Sequence, residues 1–187
     1  MSHKKSKTNR ARNKQLSFDQ RLTKPFKEFG GALLKKSNAK VARPISTKHA
    51  MHIVLRSDRA KGAISMLAPK NSKKIQRILW TQARHFGVRI YEYANVGNHL
   101  HLLLRAGHRD GFKNFLRSIT GLIARLVLDA EKGKAQGLKF WSYRPYSRLV
   151  AWKKGYQIAK DYVMQNHLEA LGLVPYKTRK YKSKSTA

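Results

Sequence analysis

The chain contains no cysteine, which excludes disulfide staples, zinc ribbons and thiol nucleophiles together and suits a cytosolic protein. Acidic residues are scarce: 9 Asp and Glu stand against 41 Lys and Arg, leaving a formal charge of +32 over 187 residues. Such an excess repels itself in a compact chain unless a polyanion or salt compensates. No apolar run approaches the length of a membrane span, and Met1-Ser2-His3-Lys4-Lys5 is not followed by a signal-peptide core. The expectation is a soluble, cytoplasmic protein, associated with the bacterial nucleoid, whose partner is nucleic acid bound through phosphate contacts. A ribosomal or chromatin-type structural protein would share this composition.

A hydrophobic fraction of 41% is enough for one globular body with extensions. Residues 1–48 are rich in Lys and Arg and broken by Pro25, Gly30, Gly31 and Pro44. They read as a basic N-terminal arm with at most a capped helical turn over Ser17 to Lys24. Residues 175–187 form a second basic extension, the C-terminal tail, and residues 49–174 the folded domain. No internal repeat is visible.

Within the body, His52 to Arg56 reads as a strand. Ile75, Ile78, Leu79, Ala83 and Phe86 fall at helical spacing, with Ser72 as the expected N-cap and Gly87 as the stop. Val88 to Val96 is a strand turning at Gly97-Asn98 into a second one at hairpin spacing. A helix over Asp110 to Ala130 carries Phe112, Phe115, Leu116, Ile119, Leu122, Ile123 and Leu126 on its apolar stripe. Gly133 and Gly137 mark the loop beyond it. Phe140 to Trp152 contains the last strand, and a final helix runs from Lys154 to Leu171, ended by Gly172 and Pro175. The order predicts an α+β fold, a ferredoxin-like antiparallel sheet covered by helices, with an extra C-terminal helix.

Asn98-His99-Leu100-His101-Leu102-Leu103-Leu104 is the most informative stretch. Side chains alternate along a strand, so His99 and His101 share one face while Leu100, Leu102 and Leu104 share the other. Two adjacent neutral imidazoles suit a divalent metal; two satisfied core histidines would look the same. On the last helix Tyr162 and Asn166 are four apart and therefore face the same way. An amide oxygen can complete a shell for Mg²⁺ or Mn²⁺, and a phenol one turn away can attack a phosphorus whose oxygens the metal polarises. Gln165, about 100° round the helix, ranks second as a ligand.

Gly97-Asn98-His99-Leu100-His101-Leu102-Leu103-Leu104 resembles the His-hydrophobe-His strand of the single-tyrosine (Y1) transposases of the IS200-like group, within the HUH endonucleases. Phe140 to Arg144, Leu149-Val150 and Tyr162-Val163-Met164-Gln165-Asn166 resemble the aromatic strand and tyrosine helix of its REP-associated branch. The resemblance covers residues 48–174 in matching order and spacing. Gly97 replaces the usual proline, and His167 replaces the proline that often follows the asparagine.

The resemblance implies an HUH nuclease domain with Tyr162 as nucleophile, His99, His101 and Asn166 as metal ligands, and Mg²⁺ or Mn²⁺ as cofactor. It implies single-stranded or hairpin DNA as substrate, cleaved and rejoined through a 5′-phosphotyrosine, and leaves monomer and homodimer both open. Arg105, Lys113, Arg117, Arg125, Arg144 and Arg148 are the expected DNA-binding side chains beside the two arms. Three alternatives stand against it: a non-catalytic or domesticated basic DNA- or RNA-binding protein, a ribosomal-type RNA binder, and a relaxase or replication initiator.

Overall fold

The computed structural model describes residues 29–30, 43–130 and 139–176. The helical turn expected over Ser17 to Lys24, Gly133, Gly137 and the tail from Lys177 lie outside the described residues.

The elements run β1 (Phe29–Gly30), β2 (Ala50–Arg56), a 3-10 turn (Gly62–Ile64), α1 (Pro69–His85), β3 (Val88–Asn95), β4 (His99–Ala106), α2 (Arg109–Leu128), β5 (Tyr146–Val150) and α3 (Lys154–Ala170). They form one sheet in the order β1-β5-β2-β4-β3 with every neighbouring pair antiparallel. From β2 to β5 this is the ferredoxin-like βαββαβ arrangement. β1 adds a two-residue edge, Phe29 opposite Arg148 and Gly30 opposite Ser147; this pairing was not foreseen from the sequence. Arg43, just before the body, donates from Nη2 to the Pro145 carbonyl, and the Ile45 carbonyl accepts from Arg109 Nη1 at 3.1 Å.

Register decides what each face of the sheet carries. Met51 lies opposite Leu104, Ile53 opposite Leu102 and Leu55 opposite Leu100. These six side chains share one face and are fully buried with Ile75 and Leu79 of α1 and Phe112, Phe115, Ile119 and Ile123 of α2. Each such side chain contributes about 1.5–3 kcal/mol by leaving water, so this layer is the main core. α3 packs on the opposite face, chiefly over β3 and β4, around the smaller apolar group Ala50, Ala94, Leu103, Val150 and Val163.

α1 begins three residues before the expected Ser72 cap. Pro69 occupies its first turn and Ala68 is the cap residue, the Ala68 carbonyl accepting from the amides of Asn71 at 2.8 Å and Ser72 at 2.9 Å. Proline is suited to that position because it has no N–H to leave unpaired and its φ is already helical. Gly87 ends the helix as expected, at φ +63°. α2 stops at Leu128 rather than Ala130 because Asp129 turns left-handed at φ 51°. His108 caps its start, Nδ1 accepting from the Gly111 amide at 2.9 Å.

Candidate functional site

The hairpin joining β3 to β4 sets the position of the paired histidines. Gly97 sits at φ +88°, its amide donates to Asn95 Oδ1 at 3.1 Å, and its carbonyl accepts from the Met66 amide at 2.8 Å. A proline could take neither that φ nor that donor role, so this turn requires the glycine. Beyond the turn, Leu100, Leu102 and Leu104 face the main core while His99, His101 and Leu103 face the α3 side. The alternation expected from the sequence holds.

A third imidazole joins them. Val54 of β2 lies opposite His101, which places His52 diagonally beside it on the same face. The His52 and His101 rings stack with centroids 5.3 Å apart and planes 12° apart, and His52 Nε2 lies 3.0 Å from His101 Nδ1. His99 meets His101 edge-on at 4.8 Å, and its Nδ1 is 2.6 Å from Asn98 Oδ1. Burial, reinforced by the Arg148 guanidinium, pushes His52 down to about 4, so this imidazole is neutral at neutral pH.

α3 brings the tyrosine to this group. The Tyr162 ring stands edge-on to His52 at 5.7 Å and to His101 at 5.6 Å. Together His52, Val54, Arg56, His99, His101, Tyr146, Arg148 and Tyr162 line an open cleft of about 320 Å³. Phenol and imidazoles are therefore on the same side of the sheet, with the guanidinium-bearing Arg56 and Arg148 among the lining residues. Arg56 also pairs with Asp58 at 3.0 Å. An anion entering the cleft meets positive charge and hydrogen-bond donors on the same floor.

Asn166 is buried one turn after Tyr162 and does not line the cleft; its Nδ2 donates to the Tyr162 carbonyl at 2.6 Å. Gln165 turns away, Nε2 donating to Glu169 Oε1 at 2.9 Å. The helix runs through His167 to Ala170, as histidine in place of proline permits.

Of the expected DNA-binding side chains, Arg148 lines the cleft, and Arg144 lies exposed in the loop before β5, near enough to Arg43 to lower its pKa along with burial. Arg105 is exposed towards the other end of β4, opposite Arg89. Lys113, Arg117 and Arg125 are exposed on α2, in the helix layer on the other side of the sheet, and Lys113 pairs there with Asp110 at 2.8 Å. The structure does not bring these three to the cleft.

His52, Arg56 and Tyr146 were missed by sequence reasoning. Period two puts His52, Val54 and Arg56 on one strand face, but only the pairing of β2 with β4 makes that the histidine face.

A divalent ion fits the donor set in one respect. Each of His99 and His101 has its Nδ1 engaged, by Asn98 and His52 respectively, as the outer partners of metal-bound imidazoles usually are. Among the described residues no three His, Cys, Asp or Glu side chains are grouped to hold a metal. Any such shell here would combine two imidazole Nε2 atoms with amide, water or phosphate oxygens. Among the described residues no helix is long and apolar enough to cross a membrane.

Residues 45–167 match the family model described as "Transposase IS200 like". No curated protein matches the chain. Among solved structures, a REP-associated tyrosine transposase bound to a REP hairpin is similar at a TM-score of 0.56 and 17% identity, covering 73% of this chain and 76% of that one. A candidate transposase from Deinococcus radiodurans R1 is 18% identical over 72% of this chain and 98% of its own, with a TM-score of 0.41. The structural likeness is one of fold. The family match spans the paired-histidine strand, the helix that carries Tyr162 as far as His167, and the sheet between them, and it places the chain in the IS200-like transposase family.

Proposed function

We propose that the protein cleaves and rejoins single-stranded DNA at hairpin-flanked sites through a covalent 5′-phosphotyrosine on Tyr162. The observation that carries this reading is the meeting of the Tyr162 ring with His52 and His101 over a cleft also lined by Arg56 and Arg148. A phosphodiester resting there would touch the phenol on one side and the paired imidazoles on the other.

In the forward step the Tyr162 hydroxyl oxygen attacks phosphorus in line and gives up its proton. The P–O3′ bond breaks, and the departing oxygen takes a proton to become a 3′-hydroxyl. The phosphotyrosine conserves the bond, so a second 3′-hydroxyl can attack the same phosphorus and release Tyr162 without ATP. Arg56 and Arg148 offset the charge of the phosphate oxygens. His99 and His101, with Asn166 from α3, are the proposed ligands of Mg²⁺ or Mn²⁺, which when bound supplies Lewis-acid polarisation of those oxygens. Asn166 would coordinate through Oδ1, the one amide atom with a lone pair to give, while its Nδ2 donates to the Tyr162 carbonyl.

A hairpin as the recognised DNA form is supported by the similar transposase bound to a REP hairpin; the net charge of +32 supports a polyanionic partner of any form. The test is incubation of the full chain with labelled hairpin oligonucleotides bearing single-stranded flanks and Mg²⁺ or Mn²⁺. The expected product is a protein–DNA adduct that survives denaturation, carrying the 5′-phosphate on Tyr162. A basic protein that only binds DNA or structured RNA would shift the oligonucleotides without forming that adduct and would be indifferent to chelators.

A further inference from the structure

The contact between His52 and His101 links two rings whose nitrogens are 3.0 Å apart, and chemistry restricts what it can be. Two neutral imidazoles hydrogen bond only when one nitrogen carries the proton and the other its lone pair. Either His101 Nδ1–H donates to His52 Nε2, or His52 Nε2–H donates to His101 Nδ1. The two arrangements have opposite consequences at the far side of His101. In the first, His101 Nε2 keeps a lone pair and can bind a cation; in the second it carries the proton and cannot.

His99 supplies a reference. Its Nδ1 is 2.6 Å from Asn98 Oδ1, an amide oxygen that only accepts, so His99 donates from Nδ1 and keeps its own lone pair on Nε2. Two ligands act together only if His101 adopts the same tautomer. The fold holds His52 where it can enforce this. β2 is paired on both sides, with β4 and with β5, so its backbone is fixed. The stacked rings, 12° apart in plane, keep the two nitrogens in register.

We propose that His52 is a positioning residue: by accepting a hydrogen bond from His101 Nδ1–H it fixes His101 as the Nε2 tautomer that binds the divalent cation. This rests on the reading of His99 and His101 as ligands, and adds a residue from a different strand to the site. His52 itself takes no part in the bond-making steps.

The experiment uses the full chain labelled with ¹⁵N-histidine. Long-range ¹H–¹⁵N spectra of the metal-free protein should show His101 protonated at Nδ1 and His52 likewise protonated at Nδ1, with Nε2 of each bare. A His101 protonated at Nε2 overturns the proposal. Mn²⁺ titration then compares variants. His52→Phe, which keeps a ring but cannot accept, should weaken Mn²⁺ binding by about 10–100-fold. His52→Gln, whose amide oxygen can accept, should stay within several-fold of the native protein. No loss in His52→Phe, or equal loss in both variants, overturns the proposal. If His52→Phe does not fold, the native spectrum and His52→Gln still decide it. A native protein that binds no Mn²⁺ sinks the metal reading under Proposed function, whereas the metal-free tautomer of His101 reports on His52 alone.

Discussion

The two faces of the central sheet are built from the same strands and are chemically opposite. One is closed by α1 and α2 over Met51, Ile53, Leu55, Leu100, Leu102 and Leu104. The other is covered by α3 around a few apolar residues and opens into a cleft lined by three imidazoles, two phenols and two guanidiniums. β4 contributes to both through strict alternation, Leu100, Leu102 and Leu104 to the closed side and His99, His101 and Leu103 to the other. Stability is thus concentrated on the closed face, and the open face can hold polar groups at some cost because the closed one offsets it. Mutations on the two faces should separate chemistry from folding.

The sharpest separation is Tyr162→Phe. Removing one oxygen from a half-buried ring at the cleft leaves the packing of the ring intact. Adduct formation on hairpin DNA should fall to background, roughly 10⁵-fold or more by the scale of other lost nucleophiles, while DNA binding and the thermal midpoint stay nearly unchanged. Adduct formation that persists in this variant, measured on denaturing gels, would move the nucleophile elsewhere and end the assignment of the open face to cleavage.

Phe115→Ala tests the converse. Phe115 of α2 is fully buried in the main core, and truncation should cost about 3–5 kcal/mol in urea or guanidinium unfolding. Per folded molecule, adduct formation should be preserved at low temperature. A loss of activity larger than the loss of folded protein would mean that the two faces are coupled through the sheet.

What the sequence made legible follows the same division. Local patterns were readable: the β3–β4 hairpin, the histidine alternation, the amphipathic stripe of α2 and the glycine stop after α1 all depend on residues near one another. Non-local pairing was not. His52 reads as the start of an aliphatic strand until β2 is laid beside β4, and Arg56 and Tyr146 become cleft residues only through the same register. Periodicity also identifies an exposed helix face without saying which side of the sheet the helix covers, so Lys113, Arg117 and Arg125 could not be placed behind it in advance. α1 starts earlier than a serine cap suggests because Pro69 begins the helix and the Ala68 carbonyl accepts its first amides.

Alkaline pH probes the closed face through Tyr93. Tyr93 packs against the main core and edge-on to Trp80 at 5.6 Å, and burial, only partly opposed by Asn95, raises its pKa to about 12. In the unfolded chain the phenol ionises near 10. Between these values the unfolded state loses the proton first, so the contribution is fully present below pH 10 and is lost as pH rises through 12. The loss should amount to about 2 kcal/mol, read from denaturant midpoints at pH 9 and 12. Tyr93→Phe should flatten that part of the profile and leave the cleft chemistry at pH 8 unaltered.

The smallest effect asks where the DNA runs. Arg148 lines the cleft, whereas Arg117 is exposed on α2 behind the sheet. If the strand is held on the open face, Arg148→Ala should weaken hairpin binding by about 3- to 10-fold and reduce the salt slope by about 0.7, one phosphate contact on a single strand. Arg117→Ala should change neither quantity. Because both variants lower the net charge of +32 by one, a difference between them reports on which face of the sheet the strand lies against. Equal losses at both positions would mean that the DNA wraps round to the helix layer, and the contrast between a closed structural face and an open working face would fail for binding even if it held for cleavage.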